Sequence, residues 1–552
     1  MRVFVHHNMK RGLLYMLSVL AFFALCAPFP AQAGFTPDDA YLNDRAALEQ
    51  LQREAFGYMW NEAHPVSGMA YETTHYWGGI RPVAVGGTGF GIAAIVVAVD
   101  RGWITREQAV ARITTIVTFL RDKSPRKQLH GAFPHWLDGD TGAIIQFDKE
   151  DVGADIVETA LLMQGLLIAR AYFNGPGVEK HLCDMITELW EDVNWNWFTA
   201  GEEIGIHWHW SQGKNFPGLR ILGYNEGLIV YILALASPTH PITRKSYDYW
   251  TSGKGYQPKD LYGYTVEASL DGGGPLFLAH YSFIGLDPRM MADDYVKGGY
   301  FTRNINQTMS NRSYCLYFAP AKNRYDANLW GLTASLVKDG YAVSEPTKDT
   351  GTVAPTAALS SMPYTPHYSM QVLEHLMGPL RSEMWGKYGP YDSFNLSGKW
   401  FRKDYVAIDQ LPIVCMVENY RTGLLWRLFM ADKEIQEGLK AASIIHPSLP
   451  EGFPEALVNV VRKGKGFVPD AHDIRRHPDT GVYHIPYWIA AEGEVAFQLS
   501  DDAGKEVCAL HVHAWPGRND LIFPQFMPPD GKILTLTMRA EEKEYVLPVR
   551  LH

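Results

Sequence analysis

The sequence predicts a mainly α-helical protein, an α/α toroid, with a small β-sandwich at its C-terminal end. Three observations carry this. Between about residues 44 and 445, segments that are apolar on every side alternate with amphipathic ones, and a helix apolar all round is a buried helix. Long aromatic and glycine-rich loops join them, Thr251–Gly274 and Asp339–Tyr364 among them, and loops of that length in a compact domain usually build a site. Beyond Ser443-Ile-Ile-His-Pro-Ser-Leu-Pro450 the period becomes two: Val495, Phe497 and Leu499, then Leu534, Leu536 and Met538, alternate with their neighbours as strand residues do.

The elements follow in chain order. Residues 1–33 read as a secretory signal: Arg2, Lys10 and Arg11 are basic, an apolar stretch runs from Leu13 to Ala27, and Ala31-Gln-Ala33 is a cleavage pattern. The stretch is too short and wrongly flanked to span a membrane. Residues 34–445 are then the helical domain. Ala46–Trp60 carries an amphipathic stripe. Thr88–Asp100 is rich in Gly, Ala, Ile and Val, and Thr105–Leu120 opens with a Thr-x-x-Gln capping pattern. Asp155–Phe173 and Glu226–Ala236 are apolar nearly all round; Asn225 is the expected N-cap of the second, which stops at Ser237-Pro-Thr-His-Pro241 because proline cannot continue it. Residues 450–552 are the β-sandwich, with Asp501–Lys505 as a turn between two of its strands.

Composition narrows the function. A hydrophobic content of 47% and an aromatic content of 13% mark a globular chain. Sixteen Trp and 29 Tyr suit a protein that stacks rings on sugars or other flat ligands. The net charge is −10, and about −13 once the signal is removed, which disfavours nucleic acid as a partner. The four cysteines past the signal, Cys183, Cys315, Cys415 and Cys508, are scattered; one disulfide is possible but not a disulfide framework. Export to a bacterial periplasm, or secretion, is the expected location, with no membrane contact after cleavage.

The run Phe147-Asp-Lys-Glu-Asp-Val-Gly-Ala-Asp-Ile-Val-Glu158 carries the strongest chemical signal. Read as a helix, it puts Asp148, Asp151, Asp155 and Glu158 on one face within roughly 80°. Like charges stacked so closely destabilise a helix, so chemistry is the expected reason for them. A solvated acidic first turn favoured by the helix dipole is the plainer explanation, but a helix apolar all round is not solvated. Glu226 begins a second apolar helix. The dipole alone lowers its pKa, and carboxylates from the first run raise it. Glycoside hydrolysis needs one protonated and one ionised carboxyl: Glu226 supplies one, and Asp151, Asp155 or Glu158 the other. Asp409 and Glu418 are further candidates, each equally explicable as the structural partner of an arginine. His207-Trp-His-Trp210 suits a sugar platform. Its H-x-H has no companion ligands, so no metal is expected. Gly86-Gly-Thr-Gly-Phe-Gly91 lacks the strand and acidic residue of a dinucleotide loop, and close helix packing or a tight turn explains it better. A G-x-S-x-G elbow is absent.

Taken together the motifs resemble the bacterial glucoamylase-like family that contains endo-β-1,2-glucanases. The resemblance lies in Asp151-Val-Gly-Ala-Asp-Ile-Val-Glu-Thr159 with Gln164-Gly-Leu-Leu167, and in Asn225-Glu226 with Tyr231-Ile-Leu-Ala-Leu-Ala-Ser-Pro-Thr-His240. It continues through Pro275-Leu-Phe-Leu-Ala-His-Tyr-Ser282, Trp330-Gly-Leu-Thr-Ala-Ser335, Ala354-Pro-Thr-Ala-Ala-Leu-Ser-Ser361, and Ile408-Asp-Gln410 with Glu418-Asn-Tyr-Arg421. It spans roughly residues 45–435 in matching order. It implies an (α/α)6 barrel that cleaves linear β-1,2-glucan internally and with inversion to short sophoro-oligosaccharides, without a cofactor. Glu226 matches the family's acid. Asp155 is the first choice of base, ahead of Asp409 and Asp151, and Glu158 is also implicated. Trp208, His209, Trp210, Asn225, His280, Tyr281, Trp330, Glu418 and Arg421 are the expected substrate contacts. The family often has Gly after the Asp-Gln pair; this chain has Leu411. The alternatives are a retaining transglycosylase, an exo-acting glycosidase on related glucans, and a non-catalytic periplasmic glucan-binding protein.

Overall fold

The computed structural model describes residues 37–76 and 79–444. Beyond these it describes the segments 468–469, 475–476, 483–489, 493–500, 503–504, 506–514, 517–523, 533–540 and 543–550. The expected signal peptide lies outside the described residues.

The helical part is built on buried helices wrapped by amphipathic ones, the arrangement of an α/α toroid. The first helix, α1, is Pro37–Asn61. Helix α2 (Val85–Asp100) begins three residues earlier than its sequence suggests and is buried from Val85 through Ala98. Outside it lies α3 (Arg106–Asp122), where both halves of the expected capping box form: Gln108 N–H donates to Thr105 Oγ1 at 3.2 Å and Thr105 N–H to Gln108 Oε1 at 2.8 Å. Helix α4 (Ile156–Tyr172) packs closely along α2. The next buried helix, α5, is Leu228–Ala236, and α6 (Ala407–Arg421) closes back on α2.

Hydrogen bonds complete the inner circuit between α5 and α6. Ser282 Oγ accepts from Ile229 N–H at 3.1 Å, His280 Nε2 lies 2.8 Å from Ser361 Oγ, and Asn419 Nδ2 donates to Ile284 O at 2.9 Å. The glycines 86–91 fall inside α2. A Cβ on Gly89 would lie 2.2 Å from Leu161 O, and one on Gly165 would lie 1.9 Å from Gly89 O. They are close-packing residues, as the sequence suggests: Gly86 and Gly89 face α4, Gly87 faces Ala407 of α6, and Gly91 faces Met59 of α1.

Two boundaries differ from the sequence reading. Asn225 does not cap α5. Its Oδ1 accepts from Gly227 N–H at 2.9 Å, a turn that ends at Gly227, the actual N-cap. The acidic run is not a helix before Ile156. Residues 146–153 form a loop, and β4 (Ala154–Asp155) pairs antiparallel with β5 (His209–Trp210), the strands Val83–Ala84, Trp136–Leu137 and Ile144–Ile145 being β1, β2 and β3. Gly153 fits this extended path, since a Cβ there would lie 2.3 Å from Trp210 O. The path also relieves the stacked like charges, because Asp148 and Asp151 leave the helix altogether.

The long loops divide in role. The one over 339–364 forms one arm of a hairpin (Ala334–Val337 with Gly340–Val343) that reaches the cavity described below. The one over 251–274 does not line that cavity; its hairpin, Lys259–Leu261 with Tyr264–Val266, is tied to the helix Tyr300–Ser313 by Asn306 Nδ2–H to Thr265 O at 2.8 Å.

In the C-terminal part the strands form two antiparallel sheets. The expected alternation is present: Val495, Phe497, Leu499, Leu536 and Met538 are buried while Ala496, Gln498 and Ser500 are half-exposed. Phe497 sits opposite Met538 and Leu499 opposite Leu536. Gly493–Ser500 and Glu506–Ala514 pair antiparallel; most of the expected turn between them, and the side chain of Leu534, lie outside the described residues. Cys183, Cys315 and Cys415 are free thiols.

Candidate active site

At one end of the inner helices lies a cavity of about 470 Å³, lined by carboxylates, imidazoles and aromatic rings. Its acids come from helix starts. Asp155 is the N-cap of α4. Its Oδ1 accepts from Val157 N–H and Glu158 N–H at 2.8 and 3.0 Å, satisfying two of the helix's unpaired donors. Glu158, in the first turn, accepts from Gly86 N–H in the first turn of α2 through Oε2 at 2.7 Å. Two helix N-termini thus face the cluster, and their positive ends favour carboxylates. Asp151 arrives from the loop, where Asp148 Oδ1 accepts from its backbone N–H at 2.8 Å.

His135 binds this set together. Its Nδ1 lies 2.9 Å from Asp151 Oδ2 and 3.4 Å from Asp155 Oδ2, and its Nε2 lies 3.9 Å from Glu158 Oε1. The ring is stacked on Phe147 with centroids 4.1 Å apart and planes 7° apart. His209 Nε2 approaches the same two oxygens, at 3.8 Å from Asp151 and 3.5 Å from Asp155, and Trp208 Nε1–H donates to Asp155 Oδ2 at 3.3 Å. Donor atoms of His135, Asp151 and Asp155 lie within 4.8 Å of one another, a grouping that ion pairing between an imidazolium and carboxylates accounts for.

Burial and pairing split the acids into two kinds. Burial alone would raise the Asp155 pKa, but hydrogen bonds and charge from His135 and His209 hold it well below the usual carboxylate range. Burial raises Asp151, with His135 opposing and Asp155 reinforcing. Burial, opposed by His135 and reinforced by Asp155 and Glu72, pushes Glu158 up to about 8. Glu226 is pushed up to about 7, first by burial and secondarily by Asp155, against its own backbone N–H. The sequence assigns that rise to neighbouring carboxylates; burial is the larger cause. Burial also opposes a charge on His135, yet Glu158, Asp151 and Asp155 carry its pKa well above the ordinary value.

The structure brings Asp148, Asp151, Asp155, Glu158, Trp208, His209, Glu226 and Tyr281 to the cavity. It places the remaining sequence candidates elsewhere. Trp210 does not line the cavity and packs edge-on against His130 and Trp197. His280 is buried, hydrogen-bonded to Ser361, and driven down to about 3 by burial. Trp330 and Leu411 are fully buried behind the wall, and Asn225 is spent on its turn.

Glu418 is the structural partner of an arginine: Arg101 Nε and Nη2 donate to its two oxygens, both at 2.8 Å. Arg421 pairs with Glu49 at 2.9 Å in the same network. Asp409 lies behind Tyr281, whose hydroxyl is 3.5 Å from its Oδ1. Burial, with the neighbouring Asp392 reinforcing, raises its pKa strongly.

Sequence reasoning missed Glu72, His135, Trp136, Phe277 and Tyr341, all of which line the cavity. Each lies outside the regular helices, where no periodicity marks it. Signals were there for four of them: Phe277 stands in the motif Pro275–Ser282, Tyr341 in the long loop 339–364, and His135 and Trp136 in Pro134-His-Trp136 before the acidic run.

The comparisons agree with this geometry. A family model described as "Putative glucoamylase" matches residues 218–433. The endo-β-1,2-glucanase of Chitinophaga pinensis, solved with sophorotriose and glucose, is 43% identical, covering 73% of this chain and 99% of that one at a TM-score of 0.70. This chain belongs to the glucoamylase-like family that contains β-1,2-glucanases. A further member, the exo β-1,2-glucooligosaccharide sophorohydrolase of Parabacteroides distasonis, is 37% identical over 424 residues. Those residues make up 72% of this chain and 58% of the relative's length. The endo-β-1,2-glucanase of Talaromyces funiculosus, at 11% identity and a TM-score of 0.52, shares the fold. The family's members among these relatives degrade β-1,2-glucans.

Proposed function

We propose that this protein is an inverting endo-β-1,2-glucanase that cuts linear β-1,2-glucan to short sophoro-oligosaccharides, working in the periplasm or outside the cell. One observation carries the reading: Glu226, its pKa raised to about 7, lines the same cavity as the aspartates Asp151 and Asp155, which are paired with His135. A protonated and an ionised carboxyl are what glycosidic cleavage requires. Glu226 is the acid. For the base the geometry favours Asp151 over Asp155. Asp155 Oδ1 already accepts two backbone N–H groups, and its Oδ2 faces Trp208, His135 and His209. Asp151 Oδ1 has no hydrogen-bond partner among the described residues, which leaves a lone pair for water. Trp208, Phe277 and Tyr341 give the cavity ring faces for pyranose stacking. In this reading the C-terminal sheets form a sandwich that braces the barrel.

Purified enzyme is expected to release reducing ends from linear β-1,2-glucan and not from β-1,3-, β-1,4- or α-1,4-glucan. Early products span several chain lengths, and proton NMR shows the α-anomer first. A preference for starch overturns the reading. The sophorohydrolase relative favours a second one, exo action, which early products of sophorose alone would establish. The pH profile is a separate check. Glu226 must hold its proton to donate it, so kcat/KM falls as pH rises through about 7. An alkaline limb near the ordinary carboxylate range removes Glu226 from the acid role.

A further inference from the structure

We infer that His135 is a positioning residue that fixes the Asp151 carboxylate so that its free oxygen faces the reacting water. The inference rests on the glycosidase reading of the cavity. His135 lines the cavity beside Asp151 and acts through it. Three independent features hold it in place. Its ring lies flat on Phe147 at 4.1 Å. Its Nδ1 takes Asp151 Oδ2 at 2.9 Å and lies near Asp155 Oδ2 at 3.4 Å. Its Nε2 faces Glu158 Oε1 at 3.9 Å. Nδ1 therefore faces the two aspartates, which it meets as a proton donor, and Nε2 faces Glu158.

The consequence is geometric. Asp151 stands in a loop, where its backbone N–H donates to Asp148 and its carbonyl accepts from Phe147 N–H at 3.3 Å. Without His135 the nearest donor left to Oδ2 is His209 Nε2, at 3.8 Å, which is too far for a hydrogen bond. With His135 on Oδ2, Oδ1 is left as the accepting atom. Groups that hold a reacting group in this way typically change rates by 10- to 100-fold when removed. The charged groups facing the ring are Asp151 and Asp155 at Nδ1 and Glu158 at Nε2. Glu72 and Asp148 are within electrostatic reach, and His209 stands across the two aspartates.

Two substitutions in the full-length protein test this. His135→Phe keeps a ring on Phe147 and removes both ring nitrogens. His135→Asn keeps an amide N–H close to the place of Nδ1 and removes the positive charge. On linear β-1,2-glucan, His135→Phe is expected to lower kcat by about 10- to 100-fold with KM little changed. His135→Asn is expected to recover most of that kcat. In both variants the acid limb of kcat/KM moves to higher pH, because Asp151 loses the cation that favours its ionised form.

A purely structural role would lower the melting temperature and leave the acid limb in place. Unchanged kcat in His135→Phe, or an unmoved acid limb in both variants, overturns the inference while the glycosidase reading stands. Wild-type enzyme that EDTA inactivates and a divalent cation restores also overturns it, since the cluster would then hold a metal. Wild-type enzyme inert on every glucan removes the glycosidase reading, and the inference falls with it.

Discussion

Glu226→Gln is expected to lose about a thousandfold in kcat on β-1,2-glucan while still binding oligosaccharide. Glutamine has the same shape and keeps the cavity intact, but it has no proton to give the leaving oxygen. General acids contribute on the order of 10²–10⁴ to glycosidic cleavage and similar reactions. Binding is expected to persist because the stacking rings and the paired aspartates are untouched. Isothermal titration with a sophoro-oligosaccharide, alongside the rate measurement, checks both halves. Full activity would remove Glu226 from the acid role.

The same variant should show a stability change of defined sign. The folded state raises Glu226 from 4.5 to about 7, so the group's contribution to stability is present below about 4.5 and is lost as pH rises through about 7. Glutamine carries no such loss, so Glu226→Gln melts higher than the parent at pH 8 and not at pH 4. An acid kept neutral by burial is held at the expense of the fold, which is the usual tension between activity and stability.

Gly89→Ala is expected to destabilise the helical part by about 3 kcal/mol or to prevent folding. The added Cβ would meet Leu161 O at 2.2 Å and Leu162 Cα at 2.6 Å, and both are backbone atoms of α4 with no rotamer to change. The α2–α4 crossing would have to open. Gly213→Ala is the matched control: nothing lies within 4 Å of its Cβ, so a change within about 0.5 kcal/mol is expected. Denaturant unfolding of the two variants side by side gives the comparison, and equal stabilities would show that the crossing is not a tight contact.

The inner helices were legible because full burial leaves long runs that are apolar all round. α2, α4 and α5 were each placed within three residues, and the Thr105 capping box was placed to the residue. The glycines of α2 were legible by elimination, since they lacked the surroundings of a dinucleotide loop. The acidic run shows where periodicity misleads. Its spacing of three and four imitates a helix, yet Asp148 and Asp151 sit in a loop and only Glu158 is helical. The cluster was right as a place and wrong as a shape. Glu418 and Arg421 mislead in the opposite way: they stand in a family motif but serve an ion-pair network around Arg101 and Glu49. His135 and Glu72 were invisible because loop residues meet a site through the path of the chain, which no local spacing records.

The acidic cluster is wired by the protein's own groups. Asp155 already has its donors, Glu158 already holds the Gly86 amide, and His135 already lies on Phe147. The disorder lost in arranging these groups is therefore charged to folding and not to binding. The free energy of stacking a sugar chain against the rings remains available to bend the pyranose at the cut toward its flattened transition state.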